Sequence, residues 1–277
     1  MAALPTSGTP LGLGLRRSFL AELAARDPLP LDFLETSPEN WLRFGGRPAH
    51  TLRELSERVP LFAHGLSLSI GGPDPLDRVL LDAIARFLEE HRCPYYSEHL
   101  AFCRDGSYLH DLLPIPFNDD TLCHCRDRIA QVQDILERRL LLENTAYYGD
   151  FASSTMSETE FFCELVRESD CLILLDINNL YVNSRNHGYD AQAFLQALPP
   201  QRVVYLHLAG HAPHPSGQLI DTHDRGVSAP VRELLRQALT LLGPRPILLE
   251  WDHAIPGLDQ LLDELGQLAA TTRPNAA

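Results

Sequence analysis

The chain has 277 residues, 44% hydrophobic and 22% charged, which suits a soluble globular protein with a large core in one or two domains. A formal net charge of −14 repels phosphate groups and so argues against general nucleic-acid binding and against anionic membrane surfaces. All 23 basic residues are arginine, which excludes Schiff-base, pyridoxal-phosphate and P-loop lysine chemistry.

Taken in chain order, short apolar runs alternate with longer helical patterns. Strands are predicted at 11–15, 31–35, 61–64, 95–100, 140–143, 171–177, 203–208 and 246–251. The clearest, such as Leu172-Ile-Leu-Leu-Asp176 and Val203-Val-Tyr-Leu-His207, are continuous apolar runs ending in a polar residue. Continuous apolarity means burial on both faces, as in a parallel sheet covered by helices. A helix is predicted at 17–25. After the second strand the chain is irregular, with a helix only near 51–57. The helix at 75–91 repeats apolar residues at Leu76, Val79, Leu80, Ala83, Ile84, Phe87 and Leu88. Residues 101–117 read as a hairpin or long loop. Helices follow at 119–138, at 157–169, where Ser157 and Glu160 have capping-box spacing, and at 190–198. The last two are at 228–242, closed by Gly243-Pro244, and at 258–269. Eight strands, nearly all followed by a helix, predict a single (β/α)8 barrel over 1–270, with 271–277 a disordered tail. The N-terminus lacks a signal-peptide pattern and no run approaches ~18 uninterrupted apolar residues, so a cytoplasmic protein is expected.

In such barrels the C-terminal ends of the strands carry the chemistry. Here the third strand ends in His64, the fourth carries His99 and the fifth ends in Glu143. The sixth ends in Asp176, the seventh in His207 and the eighth in Glu250; Asp221 and His223 lie in the loop after His207. A lone His or Asp at a strand end is ordinarily a hydrogen-bonding or helix-capping group. Six successive strands ending this way are hard to explain by packing, because buried polar groups are costly unless paired or metal-bound. The carboxylates would also repel one another, and cations resolve that. Nitrogen and oxygen donors without thiolate suit Fe, Mn, Zn or Co. The donors exceed one ion's needs, so two or three ions are inferred, with Glu143 as the bridging candidate. Asn144, Asn179 and His211 are candidate catalytic groups beside them; His211 also reads as a ligand or as a group behind one. Glu39-Asn40 and His253 lie near the same rim. The remaining histidines read as ordinary. Cysteines 163 and 171 read as buried free thiols, and Cys123-His124-Cys125 reads as structural because no second pair lies at zinc-ribbon spacing.

These residues resemble the DUF692 (UPF0276) family, multinuclear non-haem iron-dependent oxidative enzymes of the kind found in methanobactin biosynthesis. The similarity is carried by Gly12-Leu-Gly-Leu-Arg16, Glu39-Asn40, His64-Gly-Leu-Ser-Leu-Ser-Ile-Gly71, Glu98-His-Leu100 and Leu142-Glu-Asn144. It continues through Leu175-Asp-Ile-Asn-Asn-Leu-Tyr181, His207-Leu-Ala-Gly-His211, Ile220-Asp-Thr-His223 and Leu249-Glu250. Two positions depart from the family pattern: Asp224 stands where it usually has Gly, and Trp251 interrupts its usual Glu-Arg-Asp. The resemblance implies a xylose isomerase-like barrel with two or three iron ions, Zn²⁺ or Mn²⁺ being the alternatives. Glu143, Asp176, His207 and Glu250 would hold one; His64 and His99, with Glu143 bridging, a second; and Asp221 and His223, with Asn179 or His211, a third. It further implies O₂-dependent oxidation of cysteines in a ribosomally made precursor peptide, presented by a small companion protein. Competing readings are a zinc phosphodiesterase of the apurinic endonuclease type, a metal-dependent sugar isomerase and a non-catalytic metal-binding protein. The acidic charge opposes the first, and the missing lysine opposes both of the first two.

Overall fold

The computed structural model describes residues 4, 5 and 8–272. The first half comprises β1 (Leu11–Gly14), α1 (Leu20–Ala24), β2 (Phe33–Thr36), α2 (Gly46–Arg58), β3 (Leu61–His64), α3 (Arg78–Glu90), β4 (Tyr96–His99), β5 (Phe102–Asp105), β6 (Ser107–Leu113) and α4 (Asp119–Leu136). The second half comprises β7 (Leu141–Glu143), α5 (Glu158–Ser169), β8 (Leu172–Asp176), α6 (Ile177–His187), α7 (Ala191–Ala197), β9 (Val203–Leu208), β10 (His211–Pro213), β11 (Leu219–Asp221), α8 (Ala229–Leu242), β12 (Ile247–Leu249) and α9 (Leu258–Thr272). The strands β1-β12-β9-β8-β7-β4-β3-β2 close into a barrel, and β5-β6 and β10-β11 form separate two-stranded sheets. This is the (β/α)8 barrel expected from the apolar runs, and residues 101–117 contain the expected hairpin.

Strand alternation builds the floor of the site. Phe33, Phe62, Leu141, Leu174, Tyr205 and Leu248 form a buried cluster separate from the larger core under the helices. Each points into the barrel, and full burial of such a side chain contributes about 1.5–3 kcal/mol. Because side chains alternate with period two, the residue two positions further on points inward one layer higher. Those residues are Glu35, His64, Glu143, Asp176, His207 and Glu250; on β4, Ser97 leads in the same way to His99. Thus a hydrophobic plug lies below and a polar layer above it. Gly12 on β1 makes room for the plug, since a Cβ there would lie 2.5 Å from the Phe33 ring.

Three secondary-structure expectations are corrected. The stretch 177–187 is a full helix, α6, capped by Asp176, whose carboxylate accepts from Asn179 N. Its buried residues mix Ile177, Leu180 and Val182 with Asn178, Asn179, Asn183 and Ser184, so its apolar stripe is broken in the sequence. The helix after the second strand starts earlier than expected, at Gly46. Helix α9 continues through Thr272, so Thr271 and Thr272 are helical rather than tail, and 273–277 lie outside the described residues. The capping box at Ser157 and Glu160 is present as expected. All six cysteines are free thiols; Cys171 is buried, but Cys163 is only partly so. Among the described residues no helix is long and apolar enough to cross a membrane.

Candidate metal centre

The polar layer converges at the C-terminal mouth of the barrel. His64 Nε2 lies 3.1 Å from His99 Nε2, and Glu143 Oε2 lies 3.2 Å from the first and 3.3 Å from the second. Parallel pairing sets this up by placing His99 opposite Glu143 and Asp176 opposite His207. On the other side Glu143 Oε1 is 3.7 Å from His207 Nδ1, and Glu250 Oε2 is 3.1 Å from that same nitrogen. His223 Nε2 lies 2.8 Å from Asp221 Oδ1, and its Nδ1 is 3.6 Å from Glu250 Oε2. The backbone at His223 is left-handed (φ 47°), which fixes the direction in which its ring leaves the loop.

Four donor groups arise within the layer, each with its atoms within 4.8 Å of one another: His64, His99 and Glu143; Glu143, Asp176 and His207; Asp176, His223 and Glu250; and Glu35, His207 and Glu250. Among the described residues Glu143, Asp176, His207 and Glu250 each belong to two of them, and Glu143 is the one that links the His64–His99 pair to the rest, as a bridge requires.

The fit to metal ions rests on orphaned atoms. Glu143 Oε2, Asp176 Oδ2, Asn179 Oδ1, His207 Nδ1 and His223 Nε2 are buried without a hydrogen-bond partner. Buried orphans of this kind cost about 1–3 kcal/mol each. Several stand close to a complementary atom yet lack hydrogen-bond geometry. Ligands at ~2.0–2.2 Å from a common ion are held roughly 3 Å apart in that way. The donors therefore fit a nitrogen- and oxygen-ligated polynuclear centre. They open on a cavity of about 550 Å³ whose walls include Arg16, Asn40, Asn179, Asp221 and Tyr148.

Electrostatics separates the histidines into two classes. Burial, helped by the neighbouring imidazoles, holds His64 well below its usual pKa, and burial brings His99 down to about 4. Both therefore offer neutral lone pairs. Burial also opposes charge on His207, but Glu35 and Glu250 outweigh it and push that pKa well up. His223 behaves likewise through Asp221 and Asp252. Burial raises Glu143 strongly and brings Asp176, beside Asp221, up to about 7. Without cations the site thus carries protons that metal must displace. Metal uptake is accordingly expected to release protons and to weaken as the pH falls below about 7, where Asp176 keeps its proton. A zinc titration in weakly buffered solution, with the released protons counted, checks this. Uptake independent of pH between 6 and 8 would remove Asp176 and His207 from the ligand set.

Each expected site residue can be placed. His64, His99, Glu143, Asp176, His207, Asp221, His223 and Glu250 all face this region. Asn179 also faces the cavity, with its amide oxygen unpartnered. Asn144 does not act there: its side chain donates to Asp176 O at 3.0 Å and accepts from Asp176 N at 2.9 Å. It ties the end of β7 to β8, which makes it a positioning residue, not a group for the reacting atoms. His211 likewise stands behind the donors. Its Nδ1 is 2.8 Å from Asn178 Oδ1, and Asn178 donates to Asp221 Oδ1 at 2.6 Å. Glu39 holds the loop after β3 by accepting from Leu66 N and Ser67 Oγ, while Asn40 and His253 line the cavity. Cys125 is buried in the core and His124 bonds the Gly72 carbonyl, so that triplet is structural.

Glu35 is the residue that sequence reasoning missed. It closes the second predicted strand two places after Phe33, so the rule that yields His64 after Phe62 applies to it equally. At the two departures from the family pattern, Asp224 accepts from Thr222 Oγ1 and pairs with Arg225, and Trp251 is buried. The cation against Glu250 and Asp252 comes from Arg16, and Asp252 in turn orients His223 through a 2.9 Å contact to Nδ1.

The model of a family described as the RiPP precursor modification enzymes MbnB/TglH/ChrH matches residues 10–273, nearly the whole chain. The chain belongs to this family. RiPPs are ribosomally synthesised and post-translationally modified peptides. A UPF0276 protein of Shewanella oneidensis is 46% identical over 260 residues, covering 94% of this chain and 93% of that protein. One from Pseudomonas aeruginosa is 45% identical over 262 residues, covering 95% and 92%. Among solved structures, a 3-keto-D-glucoside 4-epimerase from E. coli aligns with TM-score 0.62 at 15% identity, covering 95% of this chain and 99% of that one. A xylose isomerase-like TIM barrel protein from Mycobacterium smegmatis, in complex with magnesium, aligns with TM-score 0.59 at 10% identity, covering 95% and 96%. At such identities these likenesses show the fold, a xylose isomerase-like barrel, and nothing of the chemistry.

Proposed function

We propose that this family member is an iron-dependent, O₂-using enzyme that oxidatively modifies cysteine residues of a RiPP precursor peptide. The observation that carries the reading is the set of orphaned nitrogen and oxygen donors, shared between groups through Glu143, at the floor of an open cavity. His64 and His99 with Glu143 would hold one ion, and Glu143, Asp176 and His207 a second, with Glu250 joining through its 3.1 Å approach to the same His207 nitrogen. Asp221, His223 and Asn179 would serve a third, which Asp176 and Glu250 can share. Bound iron would ligate the substrate thiolate and relay electrons from the cysteine, which is oxidised, to O₂, which is reduced. The chain's own part is to hold these donors rigidly and to admit the peptide. Tyr108, Leu112 and Tyr148 present exposed apolar surface at the mouth, suited to an extended segment. Arg16, held by Asp252 and Glu250, leaves one cation beside the centre. Delivery of the peptide by a small companion protein in the cytoplasm belongs to the same reading.

The test is anaerobic purification, metal analysis and incubation with short Cys-containing peptides encoded beside the gene. Expected are two or three irons per chain, as the donor groups allow, and an O₂-dependent mass change confined to cysteine. Colourless protein carrying only zinc and cleaving phosphodiesters would replace this reading with hydrolysis.

A further inference from the structure

Directly beneath the donors runs a line of buried hydrogen bonds that the proposed chemistry does not use. His64 Nδ1 lies 2.8 Å from Ser97 Oγ, and Ser97 Oγ lies 3.1 Å from the Tyr205 hydroxyl. Tyr205 donates to Glu35 Oε2 at 2.5 Å, and His207 Nε2 is 3.0 Å from the same oxygen. Ser97, Tyr205 and Glu35 are all buried, so water does not compete for these bonds. The line crosses the barrel from β3 through β4 and β9 to β2. It touches two of the metal-ligand histidines, each on the nitrogen turned away from the other donors.

The direction of every proton along it follows from one end. A carboxylate accepts and does not donate. Glu35 therefore draws the Tyr205 O–H and the His207 Nε2–H. With its proton committed, the Tyr205 oxygen can only accept from Ser97. Tyr205 has no proton left to give Ser97, so the 3.1 Å contact between the two hydroxyls is a bond only if Ser97 donates, which it does in preference to the more distant Ala63 carbonyl at 3.3 Å. With that proton spent, Ser97 Oγ accepts from His64 Nδ1–H. His64 then presents its Nε2 lone pair toward Glu143 and His99, and His207 presents Nδ1 toward Glu250 and Glu143.

Resting on the metal-centre reading above, we propose that Glu35 is a positioning residue that acts through Tyr205 and Ser97 to set which ring nitrogen both His64 and His207 offer to metal. One carboxylate thereby orients two ligands on different strands. Glu35 falls within a donor group with His207 and Glu250, but its oxygens are already engaged by Tyr205 and His207 Nε2. Partners behind a ligating histidine typically matter 10–100-fold in metal affinity, so about that loss is expected here.

The test uses zinc alone and needs no peptide. Imidazole ¹⁵N–¹H spectra of zinc-loaded, histidine-labelled protein should show His64 protonated at Nδ1 and His207 at Nε2. Glu35→Gln should perturb both signals, including that of His64, which Glu35 does not touch. Tyr205→Phe keeps the ring packed against Phe62, 5.1 Å away between centroids, and guards against misfolding. It should perturb His64 more than His207. Both variants should lose zinc to a competing chelator about 10–100-fold more readily. His207 protonated at Nδ1 in wild type, or a Glu35→Gln effect confined to His207, overturns the inference while leaving the metal centre intact. Protein that takes up no metal overturns both. Correct proton positions without cysteine oxidation would count against the proposed reaction alone.

Discussion

Glu143→Gln is expected to strip the protein of at least one metal ion and to reduce peptide turnover at least ~10³-fold, a loss of about 4 kcal/mol of barrier lowering, while the metal-free variant melts no lower than wild type. The loss follows from position. One Glu143 oxygen is 3.2 and 3.3 Å from the two imidazoles of one donor group, and the other is 3.7 Å from the His207 nitrogen of the next. A neutral amide cannot bridge two cations as a carboxylate does. The stability half of the prediction follows from the same position. Without metal, Glu143 is a desolvated carboxyl near Asp176, Glu250 and Glu35, which together push its pKa upward. A carboxyl held protonated in this way is close in shape and charge to the amide that replaces it, so the exchange costs the metal-free fold little or nothing. Metal reverses this balance. An ion at a thousand times its Kd adds about 4.1 kcal/mol to the folded state. At roughly 2–4 °C per kcal/mol for a chain of comparable size, that raises the wild-type Tm by about 10 °C. Metal analysis and melting curves with and without a chelator measure both halves. Full metal loading in the variant would show that Glu143 is not the bridge.

The second large effect is expected at Gly210, which lies between His207 and His211. A Cβ there would stand 2.1 Å from the Arg225 carbonyl oxygen, and backbone cannot yield as a flexible side chain does. The Gly210 carbonyl also accepts from His223 N at 2.9 Å. This contact presses the loop bearing Asp221 and His223 onto the end of β9. Gly210→Ala should push that loop away, remove the ion it serves and destabilise the fold by about 1–3 kcal/mol. The ion of His64, His99 and Glu143 should remain, since its donors come from β3, β4 and β7. A drop of one ion per chain, with little change in the others, is the expected metal analysis. Unchanged metal content would show that the loop has slack and that the glycine serves only the turn.

The barrel and most of its donors were legible because both depend on local pattern. A strand buried on two faces must be apolar throughout, so a polar residue ending such a run stands out, as at Asp176 and His207. The same alternation applied to Phe33 would have exposed Glu35. What escaped was whatever pattern alone does not encode. Helix α6 was hidden because its buried face satisfies asparagines against distant groups, such as Asn183 with Glu158 and Thr145. Asn144 and His211 look like site residues in the chain, yet their partners, Asp176 and Asn178, lie 32 and 33 positions away.

Sequence by itself determined the closed parallel sheet, the layer of imidazoles and carboxylates above an apolar plug, and the absence of lysine chemistry, because each follows from residue type and period along one segment. The tertiary structure decided which donors come within reach of one another, which nitrogen each histidine turns toward them, and which polar residues stand behind them. Those features depend on distances between strands that meet only when the barrel closes.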